Sequence, residues 1–418
     1  MLNSDSQSVE RKRTSSLKTS GNSGGPAWLL VLSIILVALV LRAPITTVGP
    51  IIDQIRLSMG LSGAMTGLLT TLPLLAFAII SPLAPRLAAR IGMERALFYA
   101  ASLLTAAIAV RSLPSVYALF LGTALLGAAI AIGNVLLPSL VKRDYPDKVG
   151  LMTGIYTVAM NLGAAIGSGI SVPLTEGLGF SWQSTLAATA LVAFLAAAIW
   201  LPLLRRNSLA SSRDHAGKAS ASESHSSIRR KLWTSPLAWS VSLFLALQSF
   251  CFYVNVTWIP LILADKGISH ADAGWLLSVM QLVGMPSTFL IPILAGKKAS
   301  QRGLAMLTSS LFIAGYLILL LGSHSWALVS MIILGLGVGG GFGLALMFFA
   351  LRASSTEQAA ELSGMAQAVG YLLAASGPLL FGLIHDWTGG WNVPLILIIA
   401  ISVLYGLLGL SAGADRKV

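Results

Sequence analysis

What most constrains this chain is a series of apolar stretches that recur along nearly all of its 418 residues. Each is about 18 residues or longer, enough to cross a hydrocarbon core of roughly 30 Å as a helix. In that core every backbone N–H and C=O needs an internal partner, so only helices and closed barrels can span it. The runs are too long for barrel strands, which take about 9–11 residues. Only 10% of the residues are charged, against about 25% in soluble chains. The expectation is an all-α polytopic membrane protein with twelve transmembrane helices. They are placed at residues 28–49, 63–85, 96–113, 116–141, 150–174, 183–205, 236–262, 273–295, 303–321, 326–351, 359–384 and 393–411. Residues 1–26 are polar and basic, without a cleavable apolar segment, so the first span is read as retained.

The net charge of +12 follows from topology. All 27 Lys and Arg except Arg42, Arg56, Arg111 and Lys266 fall in the N-terminal tail, the even-numbered loops or the C-terminus. That asymmetry is the positive-inside pattern. It predicts a multi-pass protein of the cell (inner) membrane with both termini cytoplasmic, and removes the case for a nucleic-acid partner. The single cysteine, Cys251, lies in a span, which excludes a disulfide framework or thiolate metal site. The tryptophans cluster near span ends, as an interfacial belt would. The five histidines lie in loops or at span ends. No Ser/His/Asp set, HExxH motif or phosphate-binding loop can be assembled, so neither an enzyme nor direct ATP use is expected, and no cofactor or metal.

A Ser/Ala-rich, charged segment, NSLASSRDHAGKASASESHSSIRRK, divides six spans from six. Its composition reads as a flexible linker. The expected organisation is a disordered cytoplasmic tail (1–26), an N-terminal six-helix bundle (27–206), a linker (207–234) and a C-terminal six-helix bundle (235–418). The halves repeat. At an offset of 207, Pro85, Leu87, Ala88, Arg90, Arg95 and Leu97 meet Pro292, Leu294, Ala295, Lys297, Arg302 and Leu304. At 210, Gly133, Lys142 and Gly154 meet Gly343, Arg352 and Gly364. Parallel six-helix repeats with a substrate site at their interface are a transporter architecture.

The loop PRLAARIGMERAL (85–97) resembles the signature loop of the major facilitator superfamily, GxLaDrxGrkxxl. Leu87, Ala88, Arg90, Gly92 and Leu97 match, while Pro85 and Ala89 replace its Gly and Asp. The resemblance implies a conformational loop involving Arg90, Gly92 and Arg95. The stretches LLTTLPLLAFAIISPLA (68–84), GNVLLPSLVKRDYP (133–146) and LRASSTEQAAELSGMAQAVGYLLAASGP (351–378) resemble the cyanate-transporter branch, and within it the bacterial 2-nitroimidazole transporters. This implies a major facilitator fold and a secondary active carrier working by alternating access, with spans 1, 4, 7 and 10 lining the pathway. It also implies export of 2-nitroimidazole-like compounds, with cyanate or another small anion as the alternative. The expected partners are a small-molecule substrate and the lipid bilayer, around a monomer.

Arg42 heads the candidate site. An arginine near a span centre costs roughly 2.5–3.5 kcal/mol on insertion scales, so it needs a reason to be there. In a continuous helix Thr46, Gly49 and Asp53 share its face, and Asp53 is the coupling candidate, since no Asp or Glu lies near a span centre. Pro44 and Pro50 withhold donors from the carbonyls of Val40 and Thr46. The guanidinium would hold an anion, nitro or cyanate group through a fork of hydrogen bonds; the alternative is an ion-paired or carbonyl-capped structural arginine. Asn134, four residues before Pro138, is read as a cavity residue or a helix-packing one. Tyr253 falls opposite Thr46 in the repeat, Asn255 shares a face with Gln248, and Gln367 and Tyr371 share a face in span 11. Gly154, Gly163 and Gly167 are read mainly as packing positions. GLGVGGGFG (335–343 contains its G-x-G-x-x-G) lies mid-membrane, without the strand a dinucleotide fingerprint needs.

Overall fold

The computed structural model describes residues 27–61, 63–205 and 227–418. The tail at 1–26 and residues 206–226 of the linker region lie outside the described residues. Among those described, eleven helices are long and apolar enough to cross a membrane. A bent pair, Thr71–Ile80 and Ala84–Ile91 at 53°, makes a twelfth. In chain order, span 1 is Trp28–Ile51, span 2 the helix Gly63–Ile80 with Ala84–Ile91, and span 3 Met93–Arg111. Spans 4 to 7 are Val116–Asp144, Val149–Val172, Trp182–Trp200 and Pro236–Asp265. Spans 8 to 12 are His270–Gly296, Arg302–Leu321, Ala327–Arg352, Thr356–Thr388 and Asn392–Ala412.

Local sequence sets where these helices start and break. Spans 6, 7, 8 and 11 begin behind Ser181, Ser235, Ser269 and Ser355, whose hydroxyls accept from the N–H groups of Ser184, Ala238, Asp272 and Gln358. Each cap satisfies an N–H that has no partner within the helix. Gly92 separates Ala84–Ile91 from span 3 at φ 90°, a conformation in which a Cβ is strained. Span 1 is interrupted twice. Its first helix ends at Val40, Arg42 leaves helical geometry at φ −120°, and the helix resumes over Ala43–Thr46 before a 3-10 turn at Gly49–Ile51. Pro44 has no N–H for the turn before it, and Pro50 repeats the effect.

Spans 1–6 pack mainly with one another, as do spans 7–12. The halves meet through span 5 against span 8 and span 11 against spans 2 and 4. Spans 1 and 7 approach each other far less closely. The closest joints lie at the end carrying the basic loops, hereafter the basic end. There a Cβ on Gly150 would stand 2.5 Å from the Pro292 carbonyl oxygen. The Lys142 ammonium donates to the carbonyls of Ala350, at 2.5 Å, and Ala353. Ile79, Leu121, Leu191, Phe194, Leu372 and Leu407 are exposed on the outer faces, where lipid would cover them. Trp28, Trp275, Trp326 and Trp387 are exposed near span ends, as a belt requires, but Trp182 and Trp200, at the two ends of span 6, are buried in the N-terminal half.

Candidate functional site

The break in span 1 lets Arg42 leave the helix wall. Glycines on its neighbours make room for the broken backbone: a Cβ at Gly163 would overlap the Leu39 carbonyl, and one at Gly167 would stand 2.5 Å from that of Ala43. The Arg42 guanidinium lies over the rings of Phe342 in span 10, 4.7 Å from the centroid, and Phe252 in span 7, 5.7 Å away. It is also within electrostatic reach of the Tyr253 and Tyr371 hydroxyls. Among the described residues no hydrogen bond or ion pair to this guanidinium is found.

Beside it a narrow cavity of about 10 Å³, room for about one water, is lined by Asn134 and Leu137 from span 4, Tyr156 and Met160 from span 5, Leu245 from span 7, Phe342 and Leu346 from span 10, and Gln367 and Tyr371 from span 11. Both halves thus supply its walls. The lining is mostly apolar, with a few polar groups between aromatic rings, the usual chemistry of a small-molecule pocket. Tyr371 packs against Phe77 of span 2 at 4.8 Å between centroids. The Gln367 amide nitrogen donates to the Ser363 hydroxyl at 2.9 Å. The carbonyl oxygens of Asn134 and Gln367 and the Tyr156 hydroxyl are buried without a hydrogen-bond partner among the described residues.

The structure therefore brings Arg42, Asn134, Gln367 and Tyr371 together, with Tyr253 near Arg42. It turns two other candidates away. The Thr46 hydroxyl donates to the Ala164 carbonyl of span 5 at 2.9 Å, because the break in span 1 rotates the residues after it toward that helix. Asn255 points into the C-terminal half, where its carbonyl accepts from the Tyr316 hydroxyl at 2.8 Å. There it lies beside Phe381 and Ile398 in a closely packed, largely apolar crevice with no room for a water. Asp53 sits in Ile52–Met59, beyond both interruptions of span 1, so the unbroken register that put it on the Arg42 face does not hold. Its side chain lies outside the described residues.

The signature loop also differs from expectation. Arg90 and Arg95 are exposed, and Gly92 supplies the turn. The loop's charge contact runs through Glu94, 2% exposed, which accepts from Arg143 of span 4 at 2.5 Å while Arg143 also pairs with Asp144. Sequence reasoning passed over Glu94, and likewise Tyr156, Phe252 and Phe342. Phe342, a large ring directly after three glycines, was the one with a visible signal. Arg111, one of the four basic residues outside the tail, the even-numbered loops and the C-terminus, is 1% exposed and donates to the Pro44 carbonyl at 2.8 Å. That carbonyl lacks its helical donor because the Val48 N–H bonds Ile45 instead. The glycines of span 10 serve packing: Gly335 and Gly339 abut Met280 and Gly284 of span 8.

Comparison with known proteins follows the same lines. Residues 34–378 match the Major Facilitator Superfamily. The chain is 45% identical over 397 residues to the 2-nitroimidazole transporter of Escherichia coli (strain K12), covering 95% of this chain and 98% of that one. It is 26% identical to the cyanate transport protein CynX of the same strain, over 87% of this chain and 91% of that one. The solved structure of the proton:xylose symporter XylE superimposes with a TM-score of 0.71 at 15% identity, covering 91% of this chain and 94% of that one, a likeness of fold alone. The chain belongs to the Major Facilitator Superfamily, and is a multi-pass membrane transporter of a small molecule rather than an enzyme.

Proposed function

We propose that the protein exports flat, polar, 2-nitroimidazole-like heterocycles by alternating access, with Arg42 holding the nitro group or an equivalent acceptor. The observation that carries this reading is the Arg42 guanidinium, set between the halves over two aromatic faces and free of hydrogen bonds from the described residues. Cation–π contacts use the face of the guanidinium, so its in-plane N–H fork remains available to a ligand. The 45% identity to a 2-nitroimidazole transporter supports the substrate class. The charge on Arg42 also favours a second reading, transport of cyanate or another small anion. The positive-inside pattern supports a cytoplasmic basic end; on that reading the arrangement described is closed toward the cell interior.

Uptake of labelled 2-nitroimidazole and labelled cyanate into inverted membrane vesicles, with and without a protonophore, tests the proposal. Protonophore-sensitive accumulation of 2-nitroimidazole is expected. Movement of cyanate alone would replace the substrate and keep the site. If accumulation of 2-nitroimidazole by Asp53→Asn stays protonophore-sensitive, proton coupling does not run through Asp53.

A further inference from the structure

We infer that Asn134 and Gln367 are specificity-determining residues, which select a substrate carrying a hydrogen-bond donor as well as an acceptor. The inference rests on the cavity being the transport site. Both carboxamides line that cavity, one from each half of the protein. Gln367 is 1% exposed, and its amide nitrogen is committed to Ser363 at 2.9 Å, which leaves the carbonyl end unmatched. The Asn134 carbonyl oxygen is likewise buried and unmatched. A buried acceptor without a donor is unfavourable, and within a binding cavity a ligand N–H or O–H removes that penalty.

The site is thus two-sided in its chemistry. Arg42 offers only donors and calls for an acceptor on the ligand. Asn134 and Gln367 offer acceptors and call for a donor. Cyanate and nitrate ions have acceptors alone, so they satisfy Arg42 and leave both carbonyls facing lone pairs. A flat ring with an N–H on one edge and a nitro or carboxylate group on another satisfies Arg42 and one of the two carbonyls, between the rings of Phe342 and Tyr371. Because Arg42 and Gln367 come from different halves, a ligand bonded to both also bridges the halves that rock against one another.

The test is competition against labelled 2-nitroimidazole in inverted vesicles by the unlabelled compound and by 1-methyl-2-nitroimidazole, which lacks the ring N–H. The N-methyl compound is expected to compete about 5- to 150-fold more weakly, the range of one unmet buried hydrogen bond. Equal competition overturns the inference while the proposed function stands. Uptake of cyanate with none of 2-nitroimidazole, or uptake of neither, overturns both. A clash with the added methyl group is separated by Gln367→Met and Asn134→Leu, which remove the acceptors. The preference should narrow in at least one of them, and an unchanged preference in both transporting variants overturns the inference.

Discussion

Arg42 illustrates how a charge is tolerated in an apolar environment without being neutralised. Its insertion penalty of roughly 2.5–3.5 kcal/mol is partly offset by the faces of Phe342 and Phe252, at about 0.5–2 kcal/mol each. An ion pair would consume the hydrogen-bonding fork; ring faces leave it intact. Arg42→Lys keeps the charge and loses the planar fork. Removing charge-assisted hydrogen bonds of about 1.5–3 kcal/mol should raise the half-saturation concentration for transport at least tenfold, as read from initial uptake rates at normal expression. Arg111 is the contrasting case: it is buried, and its one side-chain hydrogen bond among the described residues goes to the Pro44 carbonyl, which gives it a part in holding the break in span 1.

Between helices, the same Gly→Ala substitution should have opposite consequences according to where the contact lies. At Gly163 the new Cβ meets the Leu39 carbonyl inside the N-terminal half, at a joint that has no need to open. Overpacking there should cost about 1–3 kcal/mol and lower the unfolding midpoint in detergent. At Gly150 the new Cβ would stand 2.5 Å from the Pro292 carbonyl across the two halves. Separation relieves that clash, so Gly150→Ala should shift the population toward the state open at the basic end and leave the unfolding midpoint nearly unchanged. Labelling of a cavity cysteine from each side of the membrane distinguishes the two effects. The glycines were legible as packing positions from their spacing. Which of them lie inside a half and which lie between halves was not, because that depends on how the helices are arranged about one another.

For the molecule as a whole, the balance between states rests on a small number of contacts at the basic end. Lys142 closes span 4 onto the carbonyls of Ala350 and Ala353 at the end of span 10. Lys142→Gln removes the charge, and with it hydrogen bonds of about 1.5–3 kcal/mol. That should raise the population open at the basic end about tenfold or more. The native background suits the measurement, since the single cysteine, Cys251, is buried. A cysteine introduced at Leu346 in the cavity should react faster with an impermeant thiol reagent applied to inverted vesicles of the Lys142→Gln variant. An unchanged rate would place the closing contacts elsewhere.

Hydropathy alone determined the helical class and the twelve spans, because lipid leaves a long apolar segment no other way to satisfy its backbone. Composition also made Arg42 conspicuous, and spacing put Gln367 and Tyr371 on one face of span 11. Tertiary structure decided which way each polar side chain turns. Thr46 and Asp53 were assigned to the Arg42 face on an unbroken helix, and two proline-associated interruptions reset that register. Asn255 is about two turns along span 7 from Gln248 and on the same face, yet its partner is Tyr316 of span 9. Tyr156 carries no signal of its own in the sequence, and it gains a place in the site only where spans 4, 5, 10 and 11 converge. A transmembrane helix reveals its length through local sequence, but its rotation is set by the neighbours it packs against, and that rotation is what assembles the cavity.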